Sequence, residues 1–413
     1  MIARFVDWFS TPKSSPNILK QNFINVQIDA VGVAMANAAS QFLPIYLTRL
    51  NATAFQISLL STMPAITGML LALFLGRFLQ GKTNVIPWFS GARLAVILCY
   101  ALTGIVSIVV PKEQVINAIL LIWAFATLPQ TIVAITFSVV MNAVAGPQGR
   151  FELMTHRWSI MGFSTSIVVL IIGQLLDRVI FPSNYQIMFM VLSFGGLISF
   201  YFSSHIKIPP SPPSTDAPAH SVKELVVSYT NLVKIEKPFI SFITKRFVYL
   251  TGVALAAPLF PLFYVRVIHA SDSWISAINT SQTVILIIGY FFWSRQTRRH
   301  GPHRVIAWTT LGLSIYPIMI AFTNQPWQIV VFAGMAGIFQ AGLDLVFFDE
   351  LMRTVPPQYS ATFVAFAQSI QYFSSIIAPV IGSALASSFS IPIALIIAGL
   401  IRLVGFVMFA FLK

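Results

Sequence analysis

Five charged residues stand inside long apolar runs: Asp29, Arg93, Arg157, Asp344 and Arg402. A charge at the centre of a bilayer costs about 2.5–3.5 kcal/mol on insertion scales, so each of the five needs a partner or a task. Asp29 and Asp344 are the two carboxylates. A carboxylate in a low-dielectric cavity can take up and release a proton, which is what a proton-coupled carrier requires. The competing task is a fixed ion pair, for example Asp29 with Arg157, that holds one conformation together. Arg157 can also hold the anionic group of a substrate, because its guanidinium matches carboxylate and phosphate geometry. Arg93 and Arg402 read as cations that snorkel to the interface or brace a neighbouring helix. Other reactive types are sparse. There is one cysteine, Cys99, so neither an intrachain disulfide nor a Cys-based metal site is expected. The six His lie mostly in loops, with no HExxH and no nucleophile–His pairing. The expectation is a non-enzyme without cofactor or metal.

The elements that must position these charges are transmembrane helices. Of the 413 residues 57% are apolar and only 9% charged, with a mean hydropathy of +0.82. Soluble domains carry about 25% charged residues, which excludes a soluble enzyme, a disordered chain and a secreted disulfide scaffold. A span needs about 20 mostly apolar residues. Twelve stretches qualify: 20–48, 53–78, 85–110, 115–143, 152–176, 184–204, 239–267, 274–295, 303–323, 327–352, 359–386 and 391–412. The runs are long and do not alternate, which selects helices over a barrel. Residues 1–20 lack the apolar centre of a signal peptide. With a cytoplasmic N-terminus, the outer loops hold only Arg49, Lys112, Arg178 and Arg266, and 18 of the 25 basic residues fall on the cytoplasmic side. The net charge of +13 is therefore a topology signal and no reason to expect nucleic acid. An integral protein of the bacterial inner (plasma) membrane with both termini inside is expected.

The chain also resembles itself. Pro44-Ile-Tyr-Leu-Thr-Arg49 is echoed by Pro261-Leu-Phe-Tyr-Val-Arg266, and Gly146-Pro147-Gln148 by Pro356-Pro357-Gln358. This predicts an N-terminal six-helix bundle (1–204), a cytoplasmic linker (205–238) and a C-terminal six-helix bundle (239–413). The linker opens with Pro209-Pro210-Ser211-Pro212-Pro213, an extended composition. Ser221 and Glu224 then form a capping box ahead of an amphipathic surface helix carrying Val222, Leu225, Val226, Tyr229, Leu232 and Val233.

Twelve spans in a 6+6 repeat, inside termini and a long central loop make the chain similar to the major facilitator superfamily of secondary transporters. The resemblance covers the whole chain and implies alternating access. The family's loop motif G-x-x-x-D-R-x-G-R-R between spans two and three is matched at Gly76, but Gln80 stands in the place of the acid and Gly81-Lys82 follows. The second-half copy runs from Gly289 through Trp293-Ser294-Arg295 to Arg298, Arg299 and Gly301, again without the acid. Gly76, Gln80, Gly289 and Arg295 are therefore the expected gating-loop residues. The family's acid helps latch the outward-facing state, so gating here must differ in detail. The Gly-Pro pair of the antiporters is missing from span five between Gly162 and Leu176.

In the family, spans 1, 2, 4, 5, 7, 8, 10 and 11 surround a central cavity. Polar residues on those spans here include Asn22, Asn25, Asp29 and Gly32 on span one, and Gln130 and Thr131 on span four. Span eight adds Asn279 and Tyr290, span ten Gln340 and Asp344, and span eleven Gln368 and Gln371. With Tyr264 of span seven, this implies a substrate set of Gln130, Thr131, Asn279, Gln340, Gln368, Gln371, Tyr264 and Tyr290. Asp29 and Asp344 are the expected proton sites and Arg157 the charge partner. The competing reading of small polar residues is close helix packing. Prolines 64, 129, 258, 261, 317 and 379 interrupt spans and can bend them. The expectation is a monomeric proton-coupled secondary transporter of a small organic or amphiphilic solute, with substrate, protons and membrane lipid as partners. The rivals are an uncoupled uniporter, a lipid-type flippase, or a non-transporting sensor or assembly protein.

Overall fold

The computed structural model describes residues 17–80, 82–208, 236–354 and 360–412. The amphipathic segment around 221–235 and the proline run that precedes it lie outside the described residues. Twelve helices are long and apolar enough to cross a membrane, from Lys20–Arg49 to Ile391–Phe411, and each falls on one of the twelve stretches expected. The protein is an all-α polytopic membrane protein. In lipid every backbone group must bond inside its own segment. Hydroxyl side chains do the same here: Thr103, Thr131 and Ser314 donate to the carbonyls of Cys99, Thr127 and Thr310 at 2.7, 2.9 and 2.6 Å.

The helices are α1 (Asn17–Arg49), α2 (Ala54–Gln80), α3 (Ile86–Val109), α4 (Lys112–Arg178), α5 (Ser183–Ser204), α6 (Lys237–Ala256), the short α7 (Leu259–Leu262), α8 (Asp272–His300), α9 (Pro302–Ala321), α10 (Pro326–Thr354), α11 (Ser360–Ser388) and α12 (Ile391–Phe411). Span seven comprises α6, α7 and a π-helical turn at Phe263–Val267. Pro258 and Pro261 cannot donate backbone hydrogen bonds, so the helix re-forms with a wider turn, closed by Ile268 N–H to the Phe263 carbonyl at 3.1 Å.

One boundary differs from expectation. Helical backbone continues through Gly146-Pro147-Gln148, so spans four and five share the single element α4 of 67 residues. A straight helix of that length would reach about 100 Å, far more than one bilayer, and side-chain contacts show that α4 doubles back. Trp123 donates to Thr103 at 3.2 Å, while Val140 and Met141 pack beside Phe89, so the first arm runs antiparallel to α3. Arg157 reaches Asp29 and Thr165 reaches the Ala34 carbonyl, so the second arm runs parallel to α1. Since Val26 packs with Phe89 and Asp29 pairs with Arg93, α1 is parallel to α3. The two arms of α4 therefore oppose each other, and the reversal falls between Val144 and Leu153.

The described residues group into two compact units, Met1–Leu43 with Leu70–Thr215, and Pro44–Met69 with Asp216–Lys413. The end of span one and most of span two thus group with the later spans. Arg49, bonded to Asp272, and Thr62, bonded to the Ile376 carbonyl, hold them there.

In the first unit the backbones of spans one and six approach closely. A Cβ on Gly32 would lie 2.5 Å from the Gly195 carbonyl and 2.7 Å from the Ser199 nitrogen, whereas one on Gly91 would meet nothing within 4 Å. Gly32→Val is expected to lower the thermal unfolding midpoint, with an overpacking cost of about 1–3 kcal/mol. Gly91→Ala is expected to leave the midpoint in place. Unfolding scans of the two purified variants check both.

Candidate functional site

The charges inside the spans resolve into two arrangements of opposite character. In the first unit Asp29 is wholly buried, at 0% exposure. Its Oδ1 accepts from Arg93 Nη1 and from Ser199 Oγ, the latter at 2.6 Å. Its Oδ2 accepts from Arg157 Nη2 at 3.3 Å. Four spans thereby converge on one carboxylate. Each arginine also lies over a ring: the Arg93 guanidinium carbon is 4.2 Å from the Phe89 centroid, and that of Arg157 is 4.8 Å from Phe137. Two cations facing one anion leave the cluster with net charge +1, spread over π faces and a charge-assisted network. Ser199 reaches Asp29 because Gly32 and Gly195, one turn away on their respective helices, bring spans one and six together.

The polar stripe of span one serves the same purpose. Asn22 exchanges two hydrogen bonds with the Lys207 backbone, at 2.6 and 2.9 Å, and Asn25 donates to the His205 carbonyl at 3.2 Å. Both asparagines are buried. Asn22, Asn25, Asp29 and Gly32 therefore face span six and pack the bundle, where the sequence suggested cavity lining. Arg93, expected to snorkel or to brace a neighbour, is a direct partner of Asp29. Gln130 is half-buried and Thr131 buried, its hydroxyl bonded within its own helix.

In the second unit Asp344 is exposed. Oδ1 accepts from Gln340 Nε2 at 2.7 Å and Oδ2 from the Tyr290 hydroxyl at 3.1 Å. Both donors are neutral. Three of the expected residues, Gln340, Asp344 and Tyr290, thus form one cluster across spans eight and ten. Gly289 allows it: its Cβ would sit 2.9 Å from Ala341 Cβ and 3.1 Å from Ile338 Cα, so spans eight and ten touch beside Tyr290. Gly289 is thus buried in a helix contact rather than in a loop, and Arg295 is exposed. Gly76 and Gln80 lie on helical backbone, but their side-chain surroundings fall outside the described residues.

Gln371 is brought to Arg246, a cation inside the expected span seven that the sequence analysis did not single out. Arg246 Nη2 donates to Gln371 Oε1 at 2.8 Å, and its guanidinium lies 5.9 Å from the Phe347 ring. Thr251 and Ser374 share a hydrogen bond of 2.9 Å along the same helix contact. Gln368 and Asn279 are half-buried. Tyr264 is buried, with its hydroxyl 3.4 Å from that of Tyr316, which places it in an aromatic group with Phe260. Arg402 is buried and braces span nine by donating to the Leu313 carbonyl at 3.1 Å.

The repeated Pro-to-Arg segments also meet. Arg49 holds Asp272 Oδ1 through Nε at 3.1 Å and Nη2 at 2.8 Å, and donates to the Ala270 carbonyl at 3.0 Å. Its repeat partner Arg266 donates to the Ala52 carbonyl. Each repeat arginine thus bonds to the turn that follows the other.

Twelve spans with charges held inside the bundle define a polytopic helical membrane fold. Residues 244–413 match the Major Facilitator Superfamily model. The fold is shared with solved structures at low identity. A bacterial metal transporter matches at 14% identity and a TM-score of 0.67, over 96% of this chain and 98% of that one. The nucleoside transporter NupG matches at 15% and 0.68, over 96% and 100%. A bacterial homologue of the iron transporter ferroportin, in its inward-facing state, matches at 13% and 0.71, over 95% and 98%. No curated protein matches this chain in sequence.

Asp29→Asn removes the anion between two buried guanidiniums. A loss of about 3–5 kcal/mol is expected, since an uncompensated buried charge is left behind. Asp344→Asn, which replaces a carboxylate held by neutral donors, is expected to change stability far less. Thermal unfolding of the two purified variants side by side checks the contrast.

Proposed function

We propose that the protein is a secondary transporter for a small organic or amphiphilic solute, working by alternating access and coupled to protons through Asp344. The single observation that carries this reading is the difference between the two aspartates. Asp29 has two cations on its carboxylate, so protonating it would leave both arginines without their anion. Asp344 has an accessible carboxylate and only neutral hydrogen-bond donors in Gln340 and Tyr290. It can therefore gain or lose a proton without leaving a counter-ion uncompensated. The proton site is accordingly on span ten, and the Asp29–Arg93–Arg157 cluster is the structural clamp of the first unit.

Solute contacts are assigned to Gln340, Tyr290, Gln368 and Gln371, with Arg246 as the cation for an anionic substituent. Asn279 completes the polar set of the second unit. The solved neighbours are a metal transporter and a nucleoside transporter, so the solute class rests on this chain's own amide and hydroxyl groups. Alternating access supplies a task for the arginine latch: Arg49–Asp272 and Arg266–Ala52 close one end of the pathway and must part for it to open. Both termini are placed in the cytoplasm, supported by the 18 basic residues on that side.

The test uses proteoliposomes and a solute found by thermal-shift screening of the purified protein, since a bound solute raises apparent stability. An imposed pH gradient is expected to accelerate uptake by the native protein, with proton movement reported by a dye in the lumen. Asp344→Asn is expected to abolish both the stimulation and the proton signal while solute exchange continues. Gradient-driven uptake that survives Asp344→Asn refutes the assignment. Arg49→Gln is expected to raise the reactivity of a cysteine placed at Ser276 toward an impermeant maleimide, as the latch loosens.

A further inference from the structure

We propose that a cavity at the ends of spans seven, nine, ten and twelve is a binding site for the phosphate headgroup of an anionic lipid. The cavity encloses about 460 Å³. Lys237, Lys245, His303 and Glu350 supply its charged and titratable lining, and Phe242, Ile306 and Phe409 its apolar floor. Two ammonium groups against one carboxylate leave the site positive. Lys245 is fixed in the wall, because its Nζ donates to the Leu412 carbonyl at 2.7 Å and ties span seven to the end of span twelve.

Position selects a lipid over a free anion. Lys237 opens span seven, His303 is the second residue of span nine, Glu350 is next to the last residue of span ten, and Phe409 is two residues from the end of span twelve. All four span ends therefore lie at one level, where hydrocarbon gives way to headgroups. A basic rim over an apolar floor matches the two parts of an anionic phospholipid, and basic pockets between spans recur as headgroup sites. The first unit offers an internal comparison. A cavity of about 560 Å³ occupies the repeat-related place, at the start of span three and the end of span six, and its lining contains one charged residue, Lys207. The basic lining is thus particular to the second unit rather than a consequence of the repeat.

The experiment compares the full-length purified protein in mixed micelles of dioleoylphosphatidylglycerol and of dioleoylphosphatidylcholine. The phosphatidylglycerol is expected to raise the unfolding midpoint by about 2–4 °C relative to phosphatidylcholine. Native mass spectrometry is expected to show a retained phosphatidylglycerol molecule. The double variant Lys237→Gln/Lys245→Gln should lose the shift and the retained lipid. The double variant Lys237→Arg/Lys245→Arg and the comparison variant Lys207→Gln should keep both. The arginine pair separates loss of the site from loss of the fold, because it preserves charge while changing the same positions. Equal midpoints in the two lipids overturn the proposal, as does a glutamine pair that keeps the shift. Inorganic phosphate reproducing the shift in phosphatidylcholine also overturns it, by showing that a free anion suffices.

Discussion

The first unit is organised around a single carboxylate that cannot be left alone. Asp29 has no exposed surface, and in an apolar bundle an unpaired charge is far more costly than a helix contact is favourable. Arg93, Arg157 and Ser199 satisfy it from spans three, five and six, so three spans are brought into register with the first. The surrounding features follow from that requirement. Gly32 and Gly195 remove the side chains that would keep Ser199 away, and Phe89 and Phe137 spread the excess positive charge over their rings. Asn22 and Asn25 continue the same seam by holding the backbone at the end of span six.

The second unit solves the same problem differently. Arg402 is carried by a backbone carbonyl, Arg246 by an amide oxygen and Asp344 by an amide and a phenol. None of these partners bears an opposite charge. Polar but neutral partners stabilise a charge enough to keep it in the bundle without committing it to one ion pair. Asp29 is therefore held by ion pairs, whereas Asp344, Arg246 and Arg402 are held by neutral partners. The chemistry of the charges inside the spans thus differs between the two units residue by residue.

The repeat is preserved in the arginines that close segments Pro44–Arg49 and Pro261–Arg266. Each bonds to the turn beyond the other, an exchange expected of elements related by a pseudo-two-fold axis. Asp272 adds an ion pair on one side alone.

Much of the architecture was legible in the residues. Long apolar runs, each about a bilayer in length, identify twelve helices because lipid admits no other spanning structure for such runs, and the five charges inside them marked where the bundle would be specialised. The pairing of Asp29 with Arg157 was among the readings of those charges. Other features required three dimensions. That Arg93 joins the Asp29 cluster depends on which face of span three turns inward, and periodicity is silent on this in a helix apolar on every side. Arg246, not singled out in the sequence, is brought to Gln371 by the packing of spans seven and eleven, because interfacial and inward-facing cations look alike in a list of residues. The polar stripe of span one turned towards span six, since the hydrogen bonds that claim Asn22 and Asn25 come from residues about 180 positions away. The sequence by itself determined how many spans there are and which charges had to be compensated, because hydropathy and the cost of buried charge are local properties. Tertiary structure alone decided which partner compensates each charge, and so that Asp29 meets two arginines and Asp344 only neutral donors, because partner choice is a matter of distance between segments.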